Sequence, residues 1–177
     1  MSIKLGVVMD PIADITYKKD TTMAMLWAAQ SRDWELFYME QGDLYLEDGV
    51  ARASMAPLNV FHDPDHWFEL GDSAPVELAE LDVILMRKDP PFDAEYIYST
   101  HLLEQAEREG ARVFNRPSAL RDHPEKLALM AFSRYAPPTL VTRQAEAIKA
   151  FHAKYKDIIL KPLDGMGGMG IFRVGAD

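Results

Sequence analysis

Residues 3–9 (IKLGVVM) form a short apolar run that stops at Asp10-Pro11, which predicts a buried first strand closed by a loop. Asp20 and Thr21 then precede MAMLWAAQSR, a stretch of good helix formers. A carboxylate or hydroxyl at that position can cap the helix start. Residues 35–39 (ELFYM) predict a second strand. Strand, helix and strand with short connections are the signature of parallel strands joined by a right-handed crossover. Asp48-Gly49 lies between two runs of alternating apolar residues and predicts a hairpin. Residues 63–75 carry mixed signals and predict a loop with room for one short strand. Residues 81–86 (LDVILM) predict another buried strand, ended by Pro90-Pro91, which can continue neither strand nor helix. A helix over 94–108 ends near Gly110, and a strand follows at 111–115.

The pattern changes after Arg116-Pro117. A helix is expected from His123 or Pro124 through EKLALMAFS, then a strand at TLVT (139–142) and a helix over 144–155. A strand at 157–161 and a last strand at IFRV (171–174) flank a glycine-rich loop. The βα alternation has given way to helices with antiparallel strands. The expected fold is therefore α/β, with a domain boundary near Arg121. Residues 1–121 form a Rossmann-like parallel-sheet domain, and residues 122–177 open an α+β module.

Composition narrows the classes. The chain has 177 residues, 48% of them hydrophobic and 27% charged. This is the balance of a globular protein with a real core, not of a disordered one. The net charge of -9, with no Lys/Arg run, argues against a nucleic-acid partner. No apolar run has membrane-spanning length, and the N-terminus lacks the order of a secretory signal, so a cytoplasmic protein is expected. With no cysteine, disulfides, thiolate zinc and cysteine nucleophiles are excluded. His62 and His66 have helical spacing, but Pro64 between them argues against a shared helix face and a metal pair.

The sharpest chemical feature is Lys161-Pro162-Leu163-Asp164-Gly165-Met166-Gly167-Gly168-Met169-Gly170, with four glycines in the last six positions. Glycines let a backbone approach a ligand closely, and successive N–H groups can form an anion cradle. The string matches G-x-G-x-x-G, but a dinucleotide site needs a helix after the loop, and a strand is expected here. No Gly-Lys-Ser/Thr follows, so it is not a Walker loop either. What remains is a hairpin loop over phosphates, with Lys161 at the end of the preceding strand and within reach of the same anions. Lys126, taken alone, is an ordinary helix lysine. The loops at Met9-Asp10-Pro11 and Arg87-Lys88-Asp89-Pro90-Pro91 lie beyond the carboxyl ends of expected parallel strands, where open sheets bind ligands. Arg87 can pair bidentately with a substrate carboxylate. The alternative for these loops is internal Arg–Asp pairing.

Three segments together resemble bacterial glutathione synthetase: IKLGVVMDPI (3–12), VILMRKDPPFD (83–93) and IILKPLDGMGG (158–168). The first two are specific to that family, and the third is shared across ATP-grasp enzymes. The resemblance implies a pre-ATP-grasp domain followed by the incomplete start of an ATP-grasp module. It also implies ligation of γ-glutamylcysteine to glycine through an acyl phosphate, using ATP with magnesium or manganese. Lys126 and Lys161 match lysines that contact ATP phosphates, and Gly165, Met166, Gly167 and Gly168 match a small loop that closes over the nucleotide. Asp10 and Arg87 lie in motifs on the substrate side. Family members are nearly twice this length and form homo-oligomers, often tetramers. Their metal ligands correspond to positions beyond Asp177. The chain is thus expected to be an N-terminal part without ligase activity of its own. The alternatives are another ATP-grasp carboxylate–amine ligase, such as a D-alanine–D-alanine ligase, and a non-catalytic remnant.

Overall fold

A computed structural model describes residues 2–176. The chain divides into two compact units. One holds the residues up to Asp89 together with Ala94–Asp122. The other holds Pro90–Asp93 and the residues from His123 onward.

In the first unit, β1 (Lys4–Val8), β2 (Glu35–Met39), β7 (Val83–Met86) and β8 (Val113–Phe114) run parallel in the order β2-β1-β7-β8. Leu5 and Val7 on one face and Val8 on the other are all buried, as a central strand covered on both faces requires. The crossover helix α1 (Thr21–Gln30) is capped by Asp20, whose carboxylate accepts the Met23 N–H at 3.0 Å. Met23, Leu26 and Ala29 on α1 pack with Leu5, Val7, Met9, Leu36 and Tyr38. Gly6 serves close packing, since a Cβ there would lie 2.5 Å from Leu81 Cδ1 and 2.8 Å from Met39 Cε.

The parallel strands are extended by antiparallel ones. The long β4 (Val50–Val60) pairs β2, β3 (Leu44–Glu47), β5 (Phe68–Leu70) and β6 (Ala74–Glu77). Asp48 and Gly49 both have positive φ (49° and 84°), as the two-residue hairpin between β3 and β4 demands. Segment 63–75, expected to hold at most one short strand, contributes to two, because β4 is long enough to pair both. Helix α2 (Ala94–Glu109) buries Tyr96, Ser99, Thr100, Leu103 and Ala106, and its Glu109 carboxylate accepts the Ala51 N–H at 3.2 Å.

The sequence pattern misplaced the elements around the junction. A short helix, α3 (Pro117–Asp122), starts on a proline, whose fixed φ suits the first helical turn. The helix expected from 123 onward is absent. Residues Ala128–Tyr135 form a tighter 3₁₀ stretch kinked at Phe132 (φ -123°), with Met130, Phe132 and Tyr135 exposed. An α-helix gains most of its stability by burying an apolar face, and this stretch buries none of its residues. TLVT is not a strand either. Leu140 and Val141 are exposed, and among the described residues no strand pairs with them.

The second unit also holds α4 (Ala145–Tyr155) and an antiparallel pair, β9 (Ile158–Leu160) with β10 (Phe172–Val174), in the register Phe172↔Leu160 and Val174↔Ile158. Among its described residues only Ile158 is buried. An apolar cavity of about 760 Å³ opens between Phe132, Ile148, Phe151 and Leu160, with Lys161 on its wall. So few buried contacts place this unit at the low-stability end of the molecule.

Asp157, just before β9, accepts from Arg173 Nε at 3.0 Å and Nη2 at 2.7 Å. These bonds hold its carboxyl below the ordinary carboxylate range. An unfolded Asp titrates near 3.9, so the contact is fully present above about pH 4 and is lost as pH falls through the lower folded value. The protection of the β9–β10 amides against exchange, taken relative to the intrinsic rate at each pH and followed by NMR from pH 6 to pH 3, is expected to fall below about pH 4. Asp157→Asn is expected to flatten that fall.

Candidate functional site

The glycine loop is a hairpin loop between β9 and β10, as expected, and not a strand-to-helix turn. Gly167, Gly168 and Gly170 have φ of 62°, 82° and 68°, conformations that a side chain strains. Two turns fold it: the Met169 N–H donates to Met166 O at 3.1 Å, and the Ile171 N–H to Gly168 O at 3.3 Å. Gly165 packs against Pro162, whose Cγ would lie 2.9 Å from an added Cβ.

Lys161 follows β9 directly and is exposed. Among the described residues it has neither a hydrogen bond nor an ion pair, so its ammonium is uncommitted. Lys126 is different. Its side chain is only 16% exposed, and its Nζ donates to the Gly165 carbonyl at 2.6 Å. A residue 39 positions earlier in the chain is thereby tied to the loop. Glu125 lies 3.4 Å from the same ammonium. Lys126, Lys161 and the loop thus belong to one unit, with one ammonium bonded to the loop at Gly165 and the other on the residue that directly follows the strand before it. Such an arrangement suits a polyanion.

At the carboxyl end of the parallel sheet, Asp10 is fully engaged. Its Oδ1 takes Lys88 Nζ at 2.7 Å, and its Oδ2 accepts the Asp89 N–H at 2.8 Å. The internal pairing considered for these loops is therefore Lys–Asp, and it joins the ends of β1 and β7. Arg87 takes no part in it. Its Nε–H donates to Thr22 Oγ1 at 3.1 Å and its Nη2 to Thr21 Oγ1 at 2.9 Å. Neither Lys88 nor the two threonines stood out in the sequence as partners. Lys88 was visible as a charge within the motif, but nothing local links residue 87 to residues 21 and 22.

Nearby, the Tyr38 hydroxyl donates to Glu40 Oε1 at 2.6 Å and accepts the Ile12 N–H at 3.2 Å. Burial and the adjacent carboxylate push its pKa upward and keep it protonated. His62 stacks on Trp27 at 4.2 Å, and His66 contacts Glu69 at 2.9 Å, so the two histidines do not converge. Among the described residues no cluster of His, Asp and Glu can hold a metal ion.

Solved structures share this fold at low identity. D-alanyl-alanine synthetase A from Vibrio cholerae matches 98% of this chain and 53% of its own length, with TM-score 0.52 and 15% identity. The ATP-grasp ligase PsnB, solved with a precursor variant, Mg and ADP, matches 97% of this chain and 57% of its own, with TM-score 0.51 and 16% identity. The fold is that of the ATP-grasp proteins. Family models make the assignment narrower: the prokaryotic glutathione synthetase N-terminal domain matches residues 3–121, and the ATP-grasp domain of the same family matches residues 125–177. The chain belongs to the prokaryotic glutathione synthetase family. It is 62% identical over 173 residues to the glutathione synthetase of Pseudomonas putida, and 58% identical over 175 residues to that of Shewanella oneidensis. These matches cover 98% and 99% of this chain but 55% and 56% of the relatives, so it spans about half their length.

Proposed function

We propose that this chain supplies the substrate-side domain and the first part of the nucleotide module of a glutathione synthetase. In that reaction a carboxylate oxygen of γ-glutamylcysteine attacks the γ-phosphorus of ATP, and ADP leaves. The glycine amine then attacks the acyl phosphate carbon. It loses a proton, and phosphate departs with the original carboxylate oxygen. The protein's part is positioning and charge stabilisation. Lys161 and Lys126 bind phosphate oxygens, and the backbone of Gly165, Met166, Gly167 and Gly168 closes over them. For Lys126 this means exchanging the Gly165 carbonyl for a phosphate, which couples nucleotide arrival to loop movement. Arg87 takes a carboxylate of the dipeptide, and Asp10 orders the loop that carries Arg87. The Lys126–Gly165 contact is the observation that carries this reading.

Magnesium neutralises phosphate charge in such transfers, but the described residues do not offer a set that fits it. No step here is assigned to a metal. The net charge supports the absence of a nucleic-acid partner, and no described helix is long and apolar enough to cross a membrane. A cytoplasmic homo-oligomer, often a tetramer, is what the family implies.

The test is phosphate release by a fusion of this chain to the remaining C-terminal part of the Pseudomonas putida relative. Release with γ-glutamylcysteine and glycine, and none with D-alanine as sole substrate, is expected. Release with D-alanine instead would favour a different amine ligase. The 177-residue polypeptide by itself is expected to release none. Turnover by it would remove the fragment reading.

A further inference from the structure

The guanidinium of Arg87 is held without being neutralised. Both of its hydrogen bonds go to hydroxyls, Thr22 Oγ1 through Nε and Thr21 Oγ1 through Nη2. Among the described residues it forms no ion pair, whereas the adjacent Lys88 is paired with Asp10 at 2.7 Å. Asp89 stands close enough to act, with Arg87, on the Tyr96 hydroxyl, but its backbone is drawn to Asp10. A guanidinium has five N–H donors in a rigid plane. The two threonines occupy the Nε–Nη2 edge, which leaves the Nη1–Nη2 end as an open fork of the shape that matches a carboxylate.

The location sharpens the point. Thr21 and Thr22 begin α1, where unpaired backbone N–H groups disfavour a cation. Asp20 offsets this by accepting the Met23 N–H, but it is not within ion-pair distance of Arg87. A cation fixed in such a place by neutral groups is preorganised for an anion from outside. Thr22 is buried and Thr21 exposed, so one hydroxyl anchors the guanidinium from the protein side and the other from the rim.

We propose that Thr21 and Thr22 are positioning residues that aim the open Nη1–Nη2 fork of Arg87 at a free carboxylate of the γ-glutamyl dipeptide. This rests on the reading of Arg87 as a substrate-binding residue given above. Freed of the two hydroxyls, the side chain would populate other rotamers, and the entropy of ordering it would fall on substrate binding.

The test is an NMR titration of the ¹⁵N-labelled fusion enzyme described above with γ-glutamylcysteine, following the Arg87 Nε–Hε signal. A saturable shift is expected in the unsubstituted fusion and none in Arg87→Gln. The double variant Thr21→Val/Thr22→Val keeps side-chain volume. It is expected to bind about tenfold more weakly with a displaced Nε–Hε signal. Thr21→Ser/Thr22→Ser is expected to restore both, with thermal melts confirming that every variant folds. If the double valine variant binds as the unsubstituted fusion does, the positioning inference is overturned while the role of Arg87 stands. If the unsubstituted fusion shows no shift, or Arg87→Gln binds equally, the reading of Arg87 fails and the inference fails with it.

Discussion

Lys161→Ala, made in the fusion described above, is expected to weaken ATP binding by about 10- to 100-fold while leaving the melting temperature unchanged. Hydrogen bonds to a charged group contribute about 1.5–3 kcal/mol, and each 1.4 kcal/mol is a factor of ten in affinity. Stability should not move, because Lys161 is exposed and its side chain makes no bond among the described residues that its loss would break. That separation makes the experiment decisive. Calorimetric titration reads the affinity, and an unchanged Kd would remove Lys161 from the phosphate site. Lys161→Arg keeps the charge and should fall between the two. Lys126→Ala is a less clean probe, since it also frees the Gly165 carbonyl and alters the loop.

The second large effect concerns the scaffold. Leu26 is fully buried on α1 among Leu5, Val7, Met23, Leu36, Tyr38 and Leu58. Leu26→Ala is expected to cost about 2–5 kcal/mol, a large share of the roughly 5–15 kcal/mol that holds a domain folded. All three tryptophans, Trp27, Trp34 and Trp67, pack against this cluster. Urea unfolding followed by tryptophan fluorescence therefore reports the first unit alone. Met130→Ala in the second unit removes a side chain that is 65% exposed and should leave that transition in place. Equal effects from the two substitutions would contradict the assignment of the core.

These contrasts also show which parts of the fold were legible beforehand. Glu35–Met39 and the Asp48-Gly49 hairpin could be read because their signals are local, an apolar run in one case and a turn that needs two positive φ angles in the other. The glycine loop was legible as a hairpin loop for the same reason, since apolar runs bounded it on both sides. EKLALMAFS and TLVT have equally strong local patterns but adopt neither element. An amphipathic face or a strand edge is realised only when something packs on it, and periodicity carries no information about that.

The site divides along the same line. Lys161 and its glycines are contiguous and drew attention by themselves. Lys126 became a candidate only through resemblance, since no local feature distinguishes it from a solvated lysine. Asp10 and Arg87 were placed at strand ends by topology. Their actual partners, Lys88, Thr21 and Thr22, follow from where α1 begins relative to the end of β7. That is a property of the right-handed crossover, and residue spacing does not encode it.

In the proposed reaction a carboxylate of γ-glutamylcysteine is activated as an acyl phosphate at a site built in part by these residues. The direct measurement is isotopic. γ-Glutamylcysteine carrying ¹⁸O at both oxygens of its cysteinyl carboxylate is turned over with ATP and glycine by the fusion enzyme, and the released inorganic phosphate is examined by ³¹P NMR. One ¹⁸O atom in each phosphate released is the predicted result. Phosphate carrying no ¹⁸O, with glutathione still formed, would rule out the acyl phosphate.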